Sequence, residues 1–450
     1  MTRTFSLVTA VVLVWSGMLG AASPALAAGV TFSDAKGSAT FGKGVDFSAV
    51  LTTDVPLARL ELRVRLPASL GPVIIPVDAP PSGGAKPVTA GWSLERDGHL
   101  VPNTLVRGQW VAYPNGDGAP VTSQEVRVRY QDTRFDWKTV SGDVVRVHWT
   151  NGDDAFGRRA LQIGERAIRE VSSLLGVQER DPIDFYIYAD EPSFRDALGP
   201  RTRENVGGQA HADIRTLFAL ITPADIDASW VGIVVPHELT HLVFSTTVDN
   251  PYRFPPRWLN EGLAVYLSQG YDRSDRDQVG RAARSGDLIP LTGLGSQFPT
   301  TFDGFSLAYA ESVSAVDFLV HRFDRDALVG LVRRYHDGLS DDDAFRKALG
   351  EDLTAFQKAW YTDLGAQEPQ RRGPQPAAPG PVPPGWNVAV PRSTPAVSTS
   401  PAGPAATEPP GAPAARGQGP DLIPIAIAGL LVIGAVGAGL YLGRPARRTR

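Results

Sequence analysis

Three residues in the stretch VVPHELTH (234–241) have the types and spacing for metal chemistry. His237 and His241 are four apart, so on a helix their imidazoles project from one face and can offer nitrogens to a single cation. Glu238, next to the first, points toward the space beside that cation, where a carboxylate can take up and return a proton. Two ligands do not make a site. A third is offered by PRWLNEGLAVYLSQG (256–270), whose Glu261 stands 20 positions after His241. That separation lets one helix end, the chain turn through VDNPYRFPP, and a second helix bring a carboxylate to the same point. Two neutral imidazoles and one carboxylate leave a fourth tetrahedral position open, the arrangement of a catalytic rather than a closed structural zinc.

The elements that must carry these residues are legible in outline. In the second stretch Leu259, Leu263 and Leu267 form one helical stripe and Gly270 ends it. In the first, Pro236 removes the hydrogen bond to the carbonyl of Gly232, at about 3 kcal/mol inside a helix and at no cost in its first position. A kink or a helix start is therefore expected within a residue or two of Pro236. Upstream, AFGRRALQIGERAIREVSSLLG (155–176) has helical spacing, IDFYIYA (183–189) reads as a strand, and RTLFALI (215–221) as another. Downstream, helices are expected at about 258–269, 310–323, 326–336, 342–349 and 353–364, the last two capped by Asp341 and Asp352. The run Asp341–Asp343 lacks the ligand spacing of a calcium loop and reads as capping. His211 could reach a substrate but reads better as a surface residue, and His321 and His336 read as structural or solvated.

Residues 143–366 thus read as a mixed α+β domain, and what precedes them reads differently. In LELRVRL (60–66), Leu60, Leu62, Val64 and Leu66 alternate with charged residues, and EVRVRY (125–130) repeats the period of two. Residues 28–142 are accordingly expected to form an all-β sandwich that supports or recognises rather than catalyses. Residues 1–27 read as an export signal, with Arg3, an apolar run and ALA at 25–27. Residues 367–420 are rich in Pro and Ala and read as an extended stalk. LIPIAIAGLLVIGAVGAGLYL, within 421–443, is long and apolar enough to span a bilayer. The arginines of the tail at 444–450 would stay on the cytoplasmic side, leaving the rest of the mature chain outside the cell.

Composition narrows the chemistry. With 44 Lys and Arg against 48 Asp and Glu, the net charge of -4 gives no positive field for nucleic acid. The absence of cysteine excludes a thiol nucleophile and disulfide support.

HELTH followed by WLNEGLA resembles the gluzincin zinc metallopeptidases, and about 143–365 is similar to the peptidase MA-like domain, with distant likeness to aminopeptidase N and thermolysin. AYAESVSAVDFLV (308–320) resembles the tyrosine-bearing helix start of that family. The resemblance implies a zincin-like fold and one zinc ion on His237, His241 and Glu261. It also implies Glu238 as general base, Tyr309 as hydrogen-bond donor to the developing oxyanion, and RTLFALI as the sheet edge that pairs with an extended peptide. Two departures qualify it. Where aminopeptidase N has GxMEN, this chain reads NVGGQAHADIRTLFALIT (205–222), without the glutamate that binds a free amino terminus. Four residues after Glu261 stands Val265, not the Asp that orients a zinc-bound histidine in thermolysin-like enzymes, and Asn260 has no assigned part. The expectation is a membrane-anchored extracellular zinc endopeptidase acting on a peptide or protein. The alternatives are a silent zincin-like surface binding protein and a zinc hydrolase of a non-peptide bond.

Overall fold

The computed structural model describes residues 29–116, 118–199 and 207–368. The expected signal (1–27), the stalk from residue 369 on, the span (421–443) and the tail (444–450) lie outside the described residues. Among the described residues no helix is long and apolar enough to cross a membrane. They fall into two compact units, one carried by residues up to Asp136 with a segment from Arg195, the other by Trp137–Phe194 and the residues beyond 206.

The first unit holds β1 (Val30–Thr40), β2 (Gly44–Thr53), β3 (Leu57–Arg65), β4 (Val73–Val77), β5 (Ala85–Ser93), the turn α1 (Leu94–Asp97), β6 (Thr104–Pro114), β7 (Val121–Thr122) and β8 (Val126–Tyr130). One sheet runs β1-β2-β5 and the other β4-β3-β6-β7, with β8 also paired to β6. Alternation explains their packing. Phe47 and Leu51 of β2, Leu60, Leu62 and Val64 of β3 and Trp110 of β6 meet in one core, each at most 1% exposed.

The second unit is built on β9 (Lys138–Ser141), β10 (Val145–Trp149), β11 (Ile183–Tyr188), β12 (Gly208–His211) and β13 (Thr216–Leu220), in the order β12-β13-β11-β10-β9. β10, β11 and β13 are parallel, and β9 and β12 run antiparallel at the edges. RTLFALI, expected at the sheet edge, is therefore interior: the short strand β12 covers it. The helices of this unit are α2 (Asp154–Leu175), the first residues of α3 (Glu191–Leu198), α4 (Val231–Val248), α5 (Arg257–Ser268), α6 (Arg273–Ser285), α7 (Phe302–Phe323), α8 (Arg325–His336), α9 (Asp341–Leu349) and α10 (Leu353–Asp363), of which α2 and α4 pack on the sheet. Val145, Val147, Phe185, Ile187 and Leu217 of the sheet share a core with Ile163, Ala167 and Val171 of α2 and Val235, Leu239 and Leu242 of α4.

Packing excludes a helix start at Pro236 and moves the start of the tyrosine-bearing helix. α4 begins at Val231, five residues ahead of Pro236, rather than at the metal-binding motif. Val231, Val234 and Val235 in those first turns are at most 1% exposed. Burying three valines contributes about 1.5 kcal/mol or more each, which outweighs the roughly 3 kcal/mol cost of an interior proline. The carbonyl deprived of its partner belongs to Gly232, which is exposed. Likewise α7 begins at Phe302 under a Thr301 cap, eight residues before the expected start, so Tyr309 sits within a helix rather than ahead of one. A smaller correction concerns α9, which is capped by Ser340, with Asp341 its first residue.

α5 and α7 approach so closely that a Cβ on Gly262 would stand 2.3 Å from the carbonyl oxygen of Ser312. Gly262 follows Glu261, so this contact sets the depth of the carboxylate. Gly262→Ala should cost about 1–3 kcal/mol through overpacking. A urea unfolding midpoint equal to that of the wild type would contradict the close approach.

Glu311 on α7 is fully buried, and both its carboxyl oxygens accept from the amide of Ile289, at 3.0 and 3.1 Å. Burial drives its carboxyl well above the ordinary 4.5. The native protein then holds a proton that the unfolded chain has released, so this contribution to stability is complete below the unfolded value and is lost as pH rises through the native one. Glu311→Gln cannot ionise. The difference in Tm between this variant and the wild type should grow in favour of the variant from about pH 5 to about pH 8, and a constant difference would refute the assignment.

Candidate metal centre

α4 and α5 deliver the expected ligands to one point. His237 and His241 project from one face of α4 with their Nε2 atoms 3.2 Å apart. Glu261 Oε2, from the second turn of α5, stands 3.6 Å from His237 Nε2 and 3.5 Å from His241 Nε2. All three side chains are at most 2% exposed, and Glu261 Oε2 has no hydrogen bond among the described residues. Ligand atoms set tetrahedrally at about 2.0–2.2 Å from a metal lie about 3.3–3.6 Å apart, so this triangle has the size that a cation of that kind requires. The orphaned oxygen and the paired imidazole nitrogens are a donor set that such an ion satisfies.

The electrostatics point the same way. Burial pushes the His237 imidazole down to about 4. For His241 burial acts in the same sense, but the Glu261 carboxylate outweighs it and lifts the imidazole to about 9. Burial alone would raise the Glu261 carboxyl; the facing imidazoles and Arg257 instead hold it well below the usual carboxylate range. The three ligands together favour one shared positive charge, which a bound cation replaces with release of a proton.

One histidine is oriented by a residue whose part the sequence left open. Asn260 Oδ1 accepts from His241 Nδ1 at 3.1 Å, which fixes that tautomer and turns Nε2 toward Glu261. The signal was its position beside Glu261 on the same helix. His237 Nδ1 has no hydrogen-bond partner among the described residues, and Val265 brings no acceptor.

Glu238 is fully buried and reaches the edge of the sheet, where its Oε2 accepts from the amide of Ala210 on β12 at 2.8 Å. Its Oε1 has no hydrogen-bond partner among the described residues. Burial raises its carboxyl to about 7. The strand comes this close because Gly208 is glycine: a Cβ there would lie 3.0 Å from Val234 Cγ1 and 3.2 Å from Glu238 Cγ. His211 ends the same strand and is only 8% exposed, packed edge-on to Phe218 at 5.5 Å between centroids, so its reading as a surface residue does not hold.

Tyr309 stands beside the ligands, its ring centroid 6.4 Å from that of His237. Phe298 and Phe305 hold the ring at 5.2 and 5.0 Å, and Arg257 forms a side-chain hydrogen bond with it. His321 is exposed, and His336 bonds the carbonyl of Val248 through Nδ1 at 2.9 Å, away from the ligands.

Residues 164–366 match the Peptidase MA superfamily. The match supports a distant metallopeptidase of the gluzincin type for this part of the chain. No curated protein matches the chain. Among solved structures it is similar to an M1 zinc metallopeptidase from Deinococcus radiodurans, at 14% identity and a TM-score of 0.37, over 78% of this chain and 97% of that one. An aminopeptidase N family protein from Idiomarina loihiensis is similar at 12% identity and a TM-score of 0.40, over 75% of this chain and 77% of that one.

Loss of the Asn260 carbonyl should loosen His241. Asn260→Ala is expected to weaken metal binding about 10–100-fold in a chelator competition, with the fold intact by circular dichroism. Unchanged affinity would show that the 3.1 Å contact does not orient the ligand.

Proposed function

We propose that the second unit is a zinc-dependent peptidase that hydrolyses peptide bonds within an extended substrate. The observation that carries this reading is the buried triangle of His237 Nε2, His241 Nε2 and Glu261 Oε2 with the Glu238 carboxylate beside it. His237, His241 and Glu261 would hold one zinc ion, and two imidazoles with one carboxylate are the donor set of catalytic zinc with a position left for reaction. Zinc bound there supplies Lewis acidity, polarising a carbonyl and lowering the pKa of water toward about 7.

The protein's own groups supply the rest. Glu238, held through Oε2 by the Ala210 amide, presents Oε1 to take a proton from the attacking water as the new C–O bond forms. It returns that proton to the leaving nitrogen as the C–N bond breaks. Tyr309, fixed by Phe298 and Phe305, donates a hydrogen bond to the carbonyl oxygen as charge develops there.

β12, at the sheet edge beside Glu238, is the place where an extended peptide would add a strand. Its residues, Gly208, Gln209, Ala210 and His211, bring no carboxylate to receive a substrate amino terminus, which supports cleavage within a chain over removal of a terminal residue. We place the unit on the outer side of a membrane; the apolar run and ALA sequence of residues 1–27 and the uncharged stretch 422–442 support that placement.

Removing only the proton carrier separates binding from turnover. Glu238→Gln should retain zinc while cleavage of a peptide library falls about 10²–10⁴-fold. A variant that keeps both its metal and its turnover would show that Glu238 is not the base.

A further inference from the structure

Arg257 sits where three parts of the centre meet. From the first position of α5, one turn ahead of Glu261, its Nε donates to Glu261 Oε1 at 3.1 Å. Its guanidinium lies 4.6 Å from the centroid of the Phe298 ring and makes a side-chain hydrogen bond with Tyr309. The oxygen it engages is not the one that faces the histidines: that is Oε2, 3.5 Å from His241 Nε2 and 3.6 Å from His237 Nε2.

A guanidinium has donors only, so both contacts run one way. Oε1 of Glu261 is committed to Arg257, leaving Oε2 as the ligand atom. The phenol oxygen of Tyr309 accepts from Arg257, so its own proton is directed elsewhere, and a cationic partner makes that hydroxyl a stronger donor. The fork is itself held. Its central carbon lies over the ring of Phe298, which packs edge-on against Tyr309 at 5.2 Å, and the Arg257 amide is bonded to the Gly295 carbonyl at 2.7 Å. A lysine, with a point charge on a flexible stem, could not reproduce that two-way geometry.

We infer that Arg257 is a positioning residue: it keeps Glu261 a one-oxygen ligand and aims the Tyr309 hydroxyl, so that one rigid fork sets both metal ligand and oxyanion donor. The part concerning Tyr309 rests on the peptidase reading; the part concerning Glu261 does not.

The test uses Co²⁺ in the full chain as a spectroscopic probe, with Arg257→Met, Arg257→Lys, Tyr309→Phe and the double variant of Arg257→Met with Tyr309→Phe. In Arg257→Met, Glu261 becomes able to offer both oxygens. The visible cobalt bands should weaken as coordination number rises, and Co²⁺ affinity should fall about tenfold. Arg257→Lys should recover most of the affinity and little of the kcat. On peptide, Arg257→Met and Tyr309→Phe should each lower kcat about 10²-fold with KM within about twofold. The double variant should fall no further than the worse single one, because both changes remove the same interaction. A wild-type cobalt spectrum and affinity in Arg257→Met, or fully multiplicative losses in the double variant, would overturn the inference. If Arg257→Met does not fold, Arg257→Lys decides, and wild-type spectrum and kcat in it would overturn the proposal. A wild-type protein that cleaves no peptide would defeat the peptidase reading alone, since the cobalt measurements still decide the positioning of Glu261.

Discussion

Two imidazole nitrogens 3.2 Å apart, with a carboxylate oxygen within 3.6 Å of both, are costly to bury in an apolar core. Here they are buried at 2% exposure or less. Such a group is stable only if a positive charge is shared among its members and if the surrounding helices cannot relax away from it. The second unit meets both conditions. α4 is buried along almost its whole length, and α5 is pressed onto α7 where Gly262 meets the Ser312 backbone, so neither ligand helix can withdraw without opening the core.

The polar groups around the ligands divide the work. Asn260 turns His241, Arg257 takes the second oxygen of Glu261, and the Ala210 amide takes one oxygen of Glu238. Each comes from an element already placed by the fold: two from α5 itself and one from the sheet edge. β12 lies close against α4 at Gly208, where a Cβ would crowd Val234 and Glu238. The same edge on which the proposed substrate would pair therefore also holds the Glu238 carboxyl, through the Ala210 amide.

The clustering of His237, His241 and Glu261 was legible because helical periodicity constrains it: a separation of four places both histidines on one face of α4, and Glu261 follows on a helix with its own leucine stripe. What escaped the sequence was decided by packing. Pro236 lies inside α4 because three buried valines precede it, a benefit invisible to local propensity. β12 is four residues long and contains no β-branched or aromatic residue, so no period of two announced it, and the interior strand β13 was read as the edge. α6, between Arg273 and Ser285, buries only Val279 and Ala282, so no apolar stripe marked it among the expected helices. Asn260 and Arg257 were visible as residues, but their roles depend on which way a side chain turns, and that is set only once α4, α5 and α7 are assembled.

The account turns on whether the buried triangle holds a metal. Anomalous X-ray scattering at the zinc edge, from crystals of the purified protein, tests this most directly. The account predicts one zinc peak about 2.0–2.2 Å from His237 Nε2, His241 Nε2 and Glu261 Oε2. Zinc bound elsewhere, or a zinc-saturated crystal with no peak between α4 and α5, would contradict it.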